Sequence, residues 1–141
     1  MEGGTEQQKN KWLGKIASGE TLCAVSVTEA NAGSDVASVS LSASKTEGGY
    51  ILNGSKLWCT FAGAANVILV LARTDKTEKS HKGLSLFMVE KPSSDSDEFE
   101  FSQDSGGRMT GKAIKTLGYR GMHSFETVSY THLTLPTTPV V

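Results

Sequence analysis

The sequence predicts a mostly β domain: an antiparallel sandwich or barrel-like sheet preceded by one short N-terminal helix. Three observations carry this expectation. A single helical period stands near the start, the period switches to two after Leu22, and short apolar runs are then separated by Gly, Asn, Ser and Pro clusters. With 141 residues, 38% of them hydrophobic, the chain can bury one core.

In Gln7–Ala17, Trp12, Leu13 and Ile16 fall at i, i+1 and i+4 with lysines on the other side, which is an amphipathic helix ending near Ser18-Gly19. Val39–Ser44 alternates apolar residues with serine, as a half-buried strand does, and Glu47-Gly48-Gly49 turns the chain into Tyr50-Ile51-Leu52. Asn53-Gly54 is a strong hairpin signal because both residues tolerate positive φ, so the chain is expected to reverse there and leave as a separate strand, Lys56–Thr60. Asn66–Ala72 is apolar on both faces and reads as a central, doubly covered strand. After the polar loop 74–82 comes the strand Leu84–Val89, and after 92–98 the short alternating run Phe99–Phe101.

Composition excludes several function classes. Fourteen basic against fifteen acidic residues give a net charge of -1, with no excess field for nucleic acid or anionic lipid. No run approaches the length of a membrane span, and residues 1–10 lack the layout of a signal peptide. Cys23 and Cys59 sit in apolar stretches without metal-ligand spacing and read as reduced, buried thiols. A reducing compartment follows: cytoplasmic, or the mitochondrial matrix if the source is eukaryotic.

Two further motifs are set aside. Gly106–Ala113 is one residue short of a phosphate-binding P-loop, since Ala113 has no oxygen for Mg²⁺, and it reads as a flexible surface loop. The acidic run Asp95–Glu98 lacks the Gly and the distant Glu of a calcium loop and reads as solvated. His81 and His123 have no ligand partner at metal spacing and read as surface residues; no metal is expected.

Two stretches carry the chemistry. The strand Cys23–Glu29 stops at the polar loop Ala30–Asp35, where Gly33 permits close approach to the backbone and Thr28 and Ser34 offer hydroxyls. Read alone, the plainer account prevails: an Asx-type turn between two strands. In Leu52–Thr60, Trp58 and Thr60 are two apart and face one way, a flat ring beside a hydroxyl suited to a planar heteroaromatic ligand. Alone this is equally a core Trp beside an edge Thr.

Taken together, TExxAGSD at 28–35 and GYxLNGxKxWxT at 49–60 resemble the middle β domain of the acyl-CoA dehydrogenase family. The resemblance runs from Trp12 to Glu126 and includes WLxxIASGE at 12–20, ARTD at 72–75 and GxxxFxV at 83–89. It implies that FAD is the cofactor, bordered by Val25, Ser26, Val27 and Thr28 on one segment and approached from the other by Trp58, Cys59 and Thr60. Thr28 would bond the pyrimidine edge of the flavin and Thr60 would lie near N5. Gly33 and Ser34 would complete the loop, with Ser34 also near the CoA portion of the substrate.

The implied reaction is α,β-dehydrogenation of an acyl-CoA thioester to a 2-enoyl-CoA, with electrons passing to electron-transferring flavoprotein and the full-length protein a homo-oligomer. The family's catalytic Glu lies in a C-terminal helical bundle, so no catalytic residue is assigned to this chain, which alone should be inactive and bind FAD weakly. An acyl-CoA oxidase middle domain or a non-enzymatic β-sandwich binding module are the alternatives.

The resemblance divides the chain into the end of an N-terminal helical region (1–20), the middle β domain (21–126) and an atypical tail (127–141). With two prolines and no helical period, that tail reads as disordered, such as a frame error or an assembly join would leave. Two departures stand out. Ala30 replaces the family's usual Pro, which should loosen the loop, and Met122 stands where Ser is common, so no role is carried over to it.

Overall fold

A computed structural model of the chain describes residues 4–104, 106–119 and 121–134. Helix α1 (Glu6–Ala17) opens with a capping box: Gln8 N donates to Thr5 Oγ1, and Thr5 N donates to Gln8 Oε1. None of its residues is fully buried, and Lys11 ties it to the sheet through Glu90 at 2.6 Å.

Eight strands follow: β1 (Cys23–Ser26), β2 (Ser42–Thr46), β3 (Gly49–Thr60), β4 (Val67–Arg73), β5 (Leu84–Glu90), β6 (Glu98–Ser102), β7 (Arg108–Ala113) and β8 (Ser124–Thr134). They form one sheet in the order β1-β4-β2-β3-β8-β7-β6, with β5 also on β4. The mostly β architecture with one short helix is therefore as expected. Most pairings are antiparallel; β1 runs parallel to β4 along its length, and β2 meets β4 parallel at the single rung Ser42–Arg73. The core gathers on the concave side around Leu52, Ile68, Phe87, Met109 and Phe125, with Tyr50 edge-on to Phe87 at 5.1 Å.

Three local expectations are corrected. Asn53-Gly54 does not reverse the chain: β3 runs through it unbroken, paired with β2 on one side and β8 on the other. Gly54 serves close approach instead, for a β-carbon there would lie 2.9 Å from Leu41 Cγ. The segment expected to be a flexible loop at 106–113 is largely strand β7, with Met109 and Gly111 inward. Gly111 is the residue against which the Phe99 ring packs.

The third concerns the tail. Residues 127–134 belong to β8, hydrogen-bonded between β3 and β7, with Thr127 and Ser129 buried; residues 135–141 lie outside the described residues. Small polar side chains on its inner face hid this strand from a hydrophobicity pattern, while backbone pairing on both sides fixes it.

Candidate functional site

The two chemical stretches meet on one face because β1 and β3 are joined through the loop that follows β1. Leu57 N donates to Thr28 O at 2.8 Å, and Cys59 Sγ donates to Val25 O at 3.4 Å. Along β1, Val25 is 55% exposed while Ser26 is fully buried, so alternation puts the former on the outer face and the latter in the core. Val27 and Thr28 are half-buried at the rim, and Gly33 and Ser34 are exposed.

On β3 the alternation breaks. Lys56 and Cys59 are both buried although three residues apart, and the register with β8 shifts between them, so Leu57 and Trp58 together oppose Glu126. This bulge turns Trp58 outward, 53% exposed, in the left-handed region at φ 59. An aromatic residue rarely adopts that conformation, which costs about 1–3 kcal/mol and persists only where the surroundings impose it. Phe61, also left-handed at φ 63 and partly exposed, follows on the same turn.

Beneath this surface lies a buried charge pair. Lys56, with no exposed side-chain area, places Nζ 2.8 Å from Glu29 Oε1 and donates to Val27 O at 2.8 Å. The Glu29 carboxylate also accepts from Ser40 N (2.8 Å), Ser40 Oγ (2.6 Å) and Leu41 N (2.8 Å). Burial alone would raise the Glu29 pKa, but these donors, Lys56 foremost, hold it below the ordinary carboxylate value. Burial pulls Lys56 below the ordinary lysine value, with Glu29 opposing that pull.

Both oxygens of the Glu29 carboxylate are thus engaged within the fold. The turn after it is closed by Glu29 N to Ala32 O (2.8 Å) and Ala32 N to Glu29 O (3.2 Å). That reciprocal pair closes the Ala30-Asn31 turn without a proline.

Of the residues expected to face a ligand, the structure brings Val25, Val27, Thr28, Trp58 and Thr60 together at the joined edges of β1 and β3. Ser26 and Cys59 instead have their side chains buried in the core. The Ser26 hydroxyl is buried beside the Cys59 thiol, and burial pushes that thiol up to about 11 against the smaller opposing effect of Ser26. Thr60 Oγ1 shares a hydrogen bond with Ser124 Oγ at 3.2 Å.

This face combines an outward indole ring with hydroxyl groups. Among the described residues, the Thr28 and Ser34 hydroxyls have no protein partner, and a β-carbon at Gly33 would meet nothing within 4 Å. The chain's own packing does not require glycine there, so the open space beside that backbone is available to something else.

Lys56 and Ser40 are the site residues that sequence reasoning missed. The signal was present: a Lys and a Glu, one in each motif, are a natural pair once the motifs converge. A groove of about 640 Å³ contains none of the expected residues; it is lined by Asp97, Lys112, Tyr119, Met122 and His123 among others. Within the acidic run, Asp97 contacts His123 at 3.0 Å and Glu98 contacts Lys112 at 2.7 Å, so its carboxylates diverge rather than converge on an ion.

The model of the acyl-CoA dehydrogenase middle domain matches residues 24–130. The chain belongs to the acyl-CoA dehydrogenase family. It is 43% identical over 125 residues to (2S)-methylsuccinyl-CoA dehydrogenase of Cereibacter sphaeroides, covering 88% of this chain and 22% of that protein. It is 40% identical over 128 residues to the mitochondrial isovaleryl-CoA dehydrogenase of Solanum tuberosum, covering 91% and 28% respectively. The solved glutaryl-coenzyme A dehydrogenase in complex with glutaryl-CoA superposes with a TM-score of 0.81 at 28% identity, over 98% of this chain and 32% of that one. This acyl-CoA dehydrogenase domain therefore spans about a quarter to a third of the length of these relatives.

Proposed function

We propose that the domain supplies the flavin-facing wall of an FAD-dependent acyl-CoA dehydrogenase. The observation that carries this reading is Trp58, held outward and left-handed by a bulge one residue from the hydrogen bond that brings Thr28 alongside it. Strain of this kind at an exposed aromatic is characteristic of a ligand-holding position.

FAD, when bound, supplies the hydride acceptor for the β hydrogen of an acyl-CoA thioester. The chain's part is binding and orientation. Thr28 offers a hydroxyl donor to a polar ring edge, where it would stabilise charge gained on reduction. Trp58 and Val25 cover the ring with apolar surface, Gly33 leaves room for close approach, and Ser34 offers a hydroxyl to the cofactor or to the CoA portion of the substrate. Val27 and Thr60 complete the rim. Family membership supports a base outside this domain, acyl-CoA as substrate, electron-transferring flavoprotein as acceptor and a homo-oligomeric full-length protein. Among the described residues no helix is long and apolar enough to cross a membrane. The two free thiols fit a reducing compartment, cytoplasm or mitochondrial matrix.

The test is flavin retention by the full-length protein. The purified protein should carry flavin absorbance and reduce an electron acceptor with acyl-CoA, and Trp58→Ala and Gly33→Ala should each weaken flavin binding at least about tenfold. Unchanged flavin affinity in both variants overturns the reading. Oxygen consumption with acyl-CoA and no other acceptor would assign the oxidase branch.

A further inference from the structure

We propose that Glu29 and Lys56 are positioning residues: their buried ion pair sets the register of the bulge in β3 and so decides that Trp58 faces the ligand and Cys59 the core. The proposal rests on the reading of this face as a ligand wall.

Three observations converge on it. First, the pair occupies a junction. From β3, Lys56 reaches the carbonyl of Val27 and the Glu29 carboxylate, which in turn gathers Ser40 N, Ser40 Oγ and Leu41 N, so three chain segments meet on two opposite charges. Second, the pair stands at the start of the irregularity. The register with β8 is regular up to Lys56–Thr127 and resumes at Cys59–Phe125. Third, the side chain that the pair draws inward is one that water would otherwise claim. A lysine with no exposed area is costly, and replacing both charges of a buried pair by apolar residues is often neutral, so the pair's best-supported use is to specify an arrangement rather than to add stability.

The alternative arrangement is concrete. Side chains along a strand alternate, so a slip of one residue exchanges inside for outside. Released from Glu29, Lys56 turns to solvent and the bulge migrates. Cys59 then moves outward and Trp58 loses its strained left-handed backbone together with its outward aim. Leu57 N gives up Thr28 O in the same movement, which withdraws Thr28 from the wall. Cys59, fully buried and engaged with Val25 O, is a built-in reporter of this exchange.

The experiment labels Cys59 with a thiol reagent and follows Trp58 emission in the 141-residue chain carrying Cys23→Ser and Trp12→Phe, which leave one thiol and one indole. Glu29→Gln and Lys56→Met are compared with Tyr50→Leu, which removes the edge-on contact with Phe87 at the far end of β3. Both pair variants should speed Cys59 labelling at least about tenfold and shift Trp58 emission, beyond any change in Tyr50→Leu. Labelling and emission unchanged, or changed no more than in Tyr50→Leu, overturn the proposal and leave the pair a structural contact. Should Lys56→Met fail to fold, Glu29→Gln, which keeps the shape of the carboxylate and leaves Lys56 its bond to Val27 O, decides the matter alone. Neither readout involves flavin, so a failure of the flavin assignment, detected by the retention experiment above, is separate from a failure here.

Discussion

Gly54 lies directly against Leu41: a β-carbon at position 54 would sit 2.9 Å from Leu41 Cγ and 3.0 Å from Leu41 Cα. Its φ of 148 is also one that L side chains rarely adopt. Gly54→Ala must therefore displace Leu41 or flatten β3, and should cost roughly 2 kcal/mol or more. Urea unfolding should show a lower midpoint with an unchanged slope.

The opposite is expected at Gly33. Nothing lies within 4 Å of a β-carbon there and the backbone is not left-handed, so Gly33→Ala should change stability by no more than about 0.5 kcal/mol. Its effect belongs to ligand binding. Parallel melting and flavin-retention measurements should separate the two, with retention lost and the melting temperature kept.

Acid should loosen the ligand wall through Glu29. Its folded pKa is depressed, so the pair contributes fully above the unfolded carboxylate value of about 4.3 and its contribution is lost as pH falls toward the folded value. The groups facing the carboxylate are Lys56 Nζ, Ser40 N, Ser40 Oγ and Leu41 N. The stability difference between the parent chain and Glu29→Gln should be large at pH 7 and shrink below about pH 4. Removing one partner at pH 7, as in Lys56→Met, should cost about 3 kcal/mol or more.

Lys91 predicts the reverse trend in alkali. It is buried, donates to Gly63 O at 2.6 Å and Pro92 O at 2.7 Å, and stands 4.4 Å over the Phe99 ring, and burial brings its pKa to about 8. Below that value both folded and unfolded chains bind the proton and the burial penalty is present in full. Above it the folded chain sheds the proton first, so stability rises with pH toward the unfolded value of 10.5. The Cys59 thiol, at about 11 when folded against 9.0 ordinarily, acts in the opposite sense above pH 9.0, which leaves about pH 8 to 9 as the clean window. The parent chain should gain stability there relative to Lys91→Met, measured by denaturant midpoint.

Arg73 joins two loops to the sheet. Its guanidinium donates to the carbonyls of Ala37, Val39, Glu78 and Ser80. Arg73→Met should leave the strands in place while making residues 36–40 and 74–83 more susceptible to limited proteolysis. Mapping the first cleavage sites by mass spectrometry checks this.

What the sequence made legible and what it hid divide along physical lines. α1, β4 and β5 were readable because apolar side chains recur at the period of each element, and Thr28, Gly33 and Trp58 were readable through the motifs that hold them. Gly54 misled because a turn and a crowded strand both call for a residue without a β-carbon, and only the position of Leu41, thirteen residues earlier, tells them apart. Strands β7 and β8 were hidden because Gly111, Thr127 and Ser129 occupy inner positions where size matters more than hydropathy. The Lys56 pair was overlooked for a related reason: a strand lysine reads as solvated until the convergence of its motif with that of Glu29 is taken into account.

The parallel pairing of β1 with β4 has a consequence for the order of assembly. Strands β4 and β5 are neighbours in the chain and can zip together as soon as the intervening loop closes, as can β2 with β3 and β6 with β7. Cys23, by contrast, finds Val67 only after the whole of β2 and β3 has been laid down between them, at the entropic cost of closing that long excursion. The strand that carries Val25 and leads to Thr28 is therefore expected to join after the local hairpins, as is β8, whose rungs with β3 close still longer excursions. A chain caught with only its hairpins formed would be rich in β structure, yet would have no wall to offer a flavin.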